Sequence, residues 1–248
     1  MKAIKTELWK QKKFLFLLCI VFPILINGLL LFDLQYRYAS YLMLHKEEYG
    51  LSYWQLIFKE QTIFYFSEMF HIVAAVLVYE VFAADLKYNG WMLVASSKYR
   101  NRSVLLGKYA VALTGMLLFF VVDYIGLFLV GKQIGVEGSF DGMLFVRSFL
   151  VQIFAAGMML AFYMLLVCLF KRTAYLLPIS AVFMLINCSV YYTQDVRLLL
   201  RYPFTYISHC FRATTREVAA IAVISLLLGS VFLYLSGAFL RRNRDLSL

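Results

Sequence analysis

The sequence predicts an all-α membrane protein built as a single transmembrane domain over residues 1–248. Of these residues 63% are hydrophobic and only 15% are charged, which is too little polar surface to cover a soluble globule of this size. The apolar residues form six runs, and the cations cluster beside those runs instead of sharing one face. The net charge of +10 therefore indicates membrane topology signals, and no nucleic-acid partner is predicted.

Each of the six runs is about as long as a bilayer crossing, since about twenty residues of helix cover ~30 Å. Between the first two runs, Gln35–Gln61 is too polar to cross and predicts an outer loop with an interfacial aromatic belt that includes Trp54. Lys171 and Arg172 form the shortest predicted inner turn. The predicted spans are about residues 14–34, 62–84, 104–131, 148–170, 173–193 and 217–240.

Cation counts predict that both termini lie in the cytoplasm. The segments that are then inside hold fifteen Lys and Arg residues, and the outside segments hold nine. The last outside loop conflicts with this pattern, because it carries Arg197, Arg201, Arg212 and Arg216 among apolar residues. One hypothesis is that these four arginines bind a lipid phosphate or an anionic part of a substrate. The alternative is that they extend to ordinary lipid headgroups.

The N-terminal residues 1–13 alternate five lysines with Ile4, Leu8 and Trp9, which predicts an amphipathic elbow helix at the membrane surface. The alternative is a positive tail that only keeps the N-terminus inside. The apolar run that follows is longer than the ~7–15 residues of a signal peptide, so we expect it to remain as an anchor.

A second amphipathic segment is predicted between spans two and three. It contains the turn former Asn89-Gly90, the apolar run Trp91–Ala95, two serines and the cations Lys98, Arg100 and Arg102. Such a pattern is typical of a short helix at headgroup level with one basic face. In the predicted topology this segment faces the cytoplasm.

Ionisable side chains inside the spans are the other candidates, because each costs at least ~2.5 kcal/mol if it faces lipid as a charge. Glu68 and His71 have the Glu-x-x-His spacing of di-iron bundles, but a second copy of the motif is absent, so we predict a buried hydrogen-bonded pair and no metal site. Glu68 and Asp123 could together form an acidic patch for a cationic substrate. Glu80 is a candidate ion-pair partner of Lys108. The alternative is that the side chain faces lipid and extends to the headgroups.

Catalytic motifs are missing from the sequence. No phosphate-binding Gly-x-x-x-x-Gly-Lys-Ser/Thr occurs, and neither a Gly-x-Ser-x-Gly nor a His-Glu-x-x-His motif is present. We therefore predict no catalytic residue and no nucleotide site on this chain.

The segment between spans two and three resembles the corresponding loop of type-2 ABC exporter permeases. In that family an acidic residue precedes a glycine, a Leu-Leu-Ser step and a basic residue follow, and a Leu-x-Gly-Lys-like sequence begins the next span. The matching residues here are Asp85, Gly90, Leu93 to Ser97, Arg100, and Leu105 to Lys108. The chain departs from the family at Ser97-Lys98-Tyr99, where the family often has a proline.

The resemblance implies that this segment is a coupling helix gripped by a cytoplasmic ABC ATPase subunit, which binds the ATP and magnesium. A second permease subunit, identical or different, completes the transporter. The opening pattern of Glu7, Leu8, Lys10, Lys12 and Lys13 is most similar to lantibiotic-immunity and bacitracin-resistance permeases of Gram-positive bacteria. The implied coupling residues are Trp91, Leu93, Ser96, Ser97, Lys98, Arg100 and Arg102.

The resemblance thus implies a multi-pass protein of the cell membrane, in contact with lipids, that expels an antimicrobial peptide or another amphipathic substrate. Two alternatives belong to other classes. A secondary carrier needs inverted repeats with broken helices at matching places, and Pro23 and Pro178 do not correspond in this way. A non-transporting membrane assembly subunit does not need the basic amphipathic segment.

Overall fold

A computed structural model of the chain describes residues 13–63, 66–87, 101–192 and 201–245. Eight α-helices lie within these ranges, and no strand is present there. The predicted elbow helix and most of the predicted coupling segment lie outside the described residues. The helices are α1 (Lys13–Arg37), α2 (Lys46–Tyr49), α3 (Tyr53–Ile63), α4 (Phe66–Lys87), α5 (Asn101–Gln133), α6 (Gly142–Phe170), α7 (Leu176–Tyr192) and α8 (Thr215–Asp245).

Four helical stretches of the described chain are long and apolar enough to cross a membrane. They are Leu17–Leu42, Arg102–Gln133, Gly142–Phe170 and Thr215–Leu240. The apolar parts of α4 and α7, Met69–Ala83 and Leu176–Val190, are shorter than the usual ~20 residues. The all-helical class is therefore confirmed, whereas the second and fifth spans stay predictions.

The long helices pack as an inner group and an outer group. Helices α4, α5 and α6 contact one another, and each also carries one outer helix: α7 packs on α4, α1 on α5 and α8 on α6. Of the four long apolar stretches, the one in α6 is the most buried and the one in α8 the least. The outward faces of α1 and α8 consist largely of exposed apolar side chains such as Leu25, Phe32 and Leu227. Such faces are compatible with contact to lipid.

One end of the bundle is covered by short helices, which we call the cap. It consists of the π-helical turn Tyr38–Leu42 that continues α1, helices α2 and α3, and the 3₁₀ turns Pro203–Thr205 and Cys210–Arg212. The cap shares a second hydrophobic core with the adjoining ends of α1, α5 and α6. The stretch predicted as a polar outer loop is thus largely helical and packed.

Trp54 lies at the centre of the cap, not in the predicted interfacial belt, since it is only 5% exposed. Its ring centroid lies 5.3 Å from that of Phe140 and 5.5 Å from that of Phe145, and the ring stacks on Phe128. A Cβ atom on Gly131 would clash with the Trp54 ring. A glycine is therefore needed at residue 131 for α3 to approach α5 this closely.

Helix ends follow local sequence signals. The Asp141 carboxylate accepts a hydrogen bond from the Leu144 backbone N–H (2.9 Å) and caps α6. Helix α6 ends at Phe170, and Lys171 adopts a left-handed conformation (φ 55°), which agrees with the predicted turn at residues 171–172. Pro178 is the third residue of α7, within the first turn, where its missing N–H breaks no helical hydrogen bond.

Candidate functional site

Six of the seven predicted coupling residues lie outside the described residues: Trp91, Leu93, Ser96, Ser97, Lys98 and Arg100. The seventh, Arg102, is exposed at the beginning of α5. Together with Leu105 and Leu106 of α5 and Leu233 and Gly237 of α8, it lines an apolar cavity of about 180 Å³.

A buried ion pair joins the two helices that flank the predicted coupling segment. The Lys108 ammonium lies 2.6 Å from the Asp85 carboxylate and donates a hydrogen bond to the Val81 carbonyl oxygen (2.8 Å). The Lys108 side chain is 1% exposed and that of Asp85 is 8% exposed. This pair fixes the end of α4 to the beginning of α5, and it replaces the Glu80–Lys108 pair that the sequence suggested. Because the pair is removed from water, a substitution that removes one partner is expected to destabilise the protein strongly.

His71 lies at the centre of a polar network that links α4, α6 and α7. Its Nε2 atom accepts a hydrogen bond from the Asn187 amide (2.6 Å), so its Nδ1–H donates to the Tyr163 hydroxyl (2.9 Å). The same Asn187 amide also donates to the Phe204 carbonyl oxygen (2.9 Å) in the cap. The side chain of Glu68, its predicted partner, lies outside the described residues. Both ring nitrogens of the buried His71 are thus hydrogen-bonded, and both partners are neutral groups.

Asp123 lies in a second polar cluster, between α1, α3 and α5. Its Oδ1 atom accepts one hydrogen bond from the Asn27 amide (2.8 Å) and one from the Gln61 amide (2.8 Å). Asp123, Gln61 and Asn27 are 0%, 3% and 4% exposed. A Cβ atom on Gly126 would lie 2.7 Å from the Asn27 side chain, so glycine at this position permits the close contact of α1 with α5. His71 and Asp123 thus occupy separate buried clusters, and neither faces solvent.

The cap contains a third polar group, in which a buried carboxylate meets two cations. Glu60 of α3 lies 3.2 Å from the Arg37 guanidinium and 3.2 Å from the Lys59 ammonium. Arg37 also pairs with Asp33, one turn earlier in α1 (2.9 Å). These ion pairs attach α3 to the end of α1, so the cap is held by charge as well as by aromatic packing.

The arginine-rich loop is described only in part, since Arg197 lies outside the described residues. Arg201, Arg212 and Arg216 are exposed, and none forms an ion pair within the described part of the chain. Their exposure is compatible both with phosphate binding and with ordinary contact to headgroups. Beside them, burial lowers the pKa of His209, and the positive charge of Arg212 adds to this effect. Burial raises the pKa of the Cys210 thiol to about 12, so the thiol is unreactive.

The sequence identified His71 and Asp123 but missed their partners, which are neutral residues on other helices. These partners are Asn27, Gln61, Tyr163 and Asn187, which carry no charge and therefore do not stand out as ionisable residues in apolar runs. One usable signal was present: Asn27 and Asn187 are amides inside apolar runs, where a lone amide needs a hydrogen-bond partner.

The comparison with known proteins gives no relative for this chain: no family model matches it, and no curated protein matches it. Within the described residues, no group of three His, Cys, Asp or Glu side chains is placed to hold a metal ion. The described part of the chain forms a helical bundle, compatible with a membrane protein, that encloses the Asp85–Lys108 ion pair and the polar clusters around His71, Asp123 and Glu60.

Proposed function

We propose that the chain is the membrane permease subunit of an ATP-driven exporter of the type-2 ABC class. In this proposal the basic segment from Trp91 to Arg102 contacts a cytoplasmic ATPase subunit, and a second permease subunit completes the transporter. The substrate is an antimicrobial peptide or another amphipathic molecule, and the location is the cell membrane of a Gram-positive bacterium.

The observation that carries the proposal is the buried Asp85–Lys108 ion pair. The pair lies just before and just after the predicted coupling segment, which occupies the connection between α4 and α5. A force applied to that connection therefore acts on two helices whose ends are fixed to each other. Because α4 and α5 also pack against α6, displacement of the connection would move the inner group of the bundle.

The outer faces of the bundle support the membrane part of the proposal. The exposed apolar side chains of α1 and α8 suit lipid or a second permease subunit. The buried ionisable side chains Asp85, Lys108 and Asp123 are paired or hydrogen-bonded within the bundle, as expected for ionisable groups at membrane depth.

Co-purification from native membranes tests the proposal. We expect the tagged full-length chain to retain a P-loop ATPase in fixed stoichiometry. The amount of ATPase that co-purifies with the Trp91→Ala/Arg100→Ala double variant should fall by about tenfold or more, because the variant lacks an aromatic and a cationic contact.

The matched control is the Tyr175→Ala/Arg172→Ala double variant, which removes an exposed cation from the other predicted inner turn and an exposed aromatic residue three positions after it. It should retain the ATPase. The proposal fails if the wild-type chain purifies without any ATPase, or if both double variants lose it equally.

A further inference from the structure

The Asp123 cluster contains two buried oxygen atoms that lack a donor. Asp123 Oδ1 is occupied by the Asn27 and Gln61 amides, but Asp123 Oδ2 has no hydrogen-bond partner among the described residues. The carbonyl oxygen of the Asn27 side chain, Oδ1, lacks one as well. Both oxygens belong to groups already joined by the hydrogen bond from Asn27 Nδ2 to Asp123 Oδ1. As an anion, Asp123 would leave Oδ2 as a buried, charged oxygen without a hydrogen-bond donor among the described residues.

Among the side chains that the structure describes, no charged group compensates a negative charge on Asp123. In the described residues no lysine, arginine or histidine forms an ion pair with it, and Arg37 of α1 and Lys59 of α3 are engaged by Asp33 and Glu60. On α4, Asp85 is paired with Lys108 of α5, and His71 is held by Tyr163 and Asn187. The described charged and titratable side chains on the elements packed around Asp123 include Asp33 and Arg37 on α1, Lys59 and Glu60 on α3, His71, Glu80 and Asp85 on α4, Arg102, Lys108, Tyr124 and Lys132 on α5, and His209, Cys210 and Arg212 in and beside the cap.

We propose that Asp123 is a proton-binding site whose carboxyl group carries a proton on Oδ2 in this conformation. The proton removes an uncompensated charge from a fully buried position. It also turns Oδ2 from an acceptor into an O–H donor, and a donor is what the unpartnered Asn27 Oδ1 atom lacks. The neutral acid keeps Oδ1 as the carbonyl oxygen that accepts both amide hydrogen bonds.

A metal cation fits this cluster less well than a proton does. Hard cations take about six or more oxygen ligands. The described cluster offers two unpartnered oxygens, one from Asp123 and one from Asn27. A proton needs only a base and an acceptor, and the cluster provides both.

Loss of the proton is expected to weaken the attachment of α1 and α3 to α5, since these three helices meet at the Asp123 carboxyl group. Proton binding at Asp123 is thereby coupled to the position of α1 and the cap. This inference does not depend on the proposed transport function, because it uses only the contacts inside one chain.

Infrared spectroscopy of the full-length protein, reconstituted in lipid nanodiscs, tests the inference. At about pH 7 an ordinary aspartate is ionised. We therefore expect the wild type to show the C=O band of a protonated carboxylic acid, and Asp123→Asn to lack it. Labelling the wild type with ¹³C-aspartate should shift this band, which assigns it to an aspartic acid without any substitution.

Thermal unfolding between about pH 5 and about pH 9 gives a second readout. The folded state is expected to keep a proton that the unfolded state releases, so wild-type stability should fall as the pH rises. Asp123→Asn keeps a neutral side chain with one donor and one acceptor, and it should remove this part of the pH dependence. Asp33→Asn is the matched control, because it alters a partly exposed, ion-paired carboxylate of α1, and both the band and the pH dependence should persist.

Two results would overturn the inference. One is a wild-type spectrum without an aspartic acid band at about pH 7, since the carboxyl group would then be ionised. The other is a melting temperature that rises with sodium chloride but not with choline chloride at equal ionic strength, with the rise lost in Asp123→Asn. That result would assign the cluster to a metal cation.

Discussion

Replacing Lys108 with methionine is expected to lower the free energy of unfolding by about 3–5 kcal/mol, the largest effect of any single change considered. Methionine fills most of the volume of the lysine side chain, so the main loss is electrostatic. The buried Asp85 carboxylate would lose the ammonium that lies 2.6 Å from it in the wild type. Thermal or denaturant unfolding of the purified chain in detergent measures this loss.

A double variant separates the ion pair from the packing around it. Asp85→Asn/Lys108→Met removes both charges, and it should recover much of the stability that Lys108→Met loses. Lys132→Met is the matched control, because Lys132 is an exposed lysine of the same helix, and its replacement should change stability by less than about 0.5 kcal/mol. Equal effects of Lys108→Met and Lys132→Met would show that the buried pair does not hold α4 to α5.

Replacing Trp54 with alanine is expected to destabilise the protein by about 3 kcal/mol, because it empties the centre of the cap. The Trp54 ring contacts three phenylalanine rings and fits against Gly131, so the surrounding residues have little freedom to close the cavity. Unfolding measurements under the same conditions as for Lys108→Met provide the test.

Tyr36→Ala is the control for Trp54→Ala, since Tyr36 is 69% exposed and lies on the last turns of α1. It should alter stability only slightly. If Trp54→Ala were as mild as Tyr36→Ala, Trp54 would lie at the membrane surface, as the sequence had predicted, and the cap would not be packed on the bundle.

Hydropathy was sufficient to predict the class of fold and much of its order. The long apolar runs correspond to α1, α5, α6 and α8, because burial in a bundle and burial in lipid require the same apolar side chains. The short turn at Lys171 and Arg172 followed from two cations between apolar runs. The structure of the cap could not be predicted in this way, because it depends on contacts between distant segments, such as Trp54 with Gly131 and Arg37 with Glu60.

The sequence predicts the ionisable residues of the buried clusters but not their neutral partners. Asp123 and His71 are visible as ionisable residues in apolar runs, and the sequence identified both. Their partners lie 62 to 116 residues away in the chain, and the pairing is set by how the helices pack. Helical periodicity places a residue on a face, but it does not specify which helix covers that face.

Cysteine labelling tests most directly the central claim that the segment between α4 and α5 faces the cytoplasm, where an ATPase can reach it. Lys98→Cys and Ser139→Cys, the latter in the exposed connection between α5 and α6, can be treated with a membrane-impermeant maleimide, with the wild type as background. We predict that Ser139→Cys reacts in intact cells and that Lys98→Cys reacts only after the membrane is opened. Reaction of Lys98→Cys in intact cells would contradict the topology and, with it, the proposed coupling to a cytoplasmic ATPase.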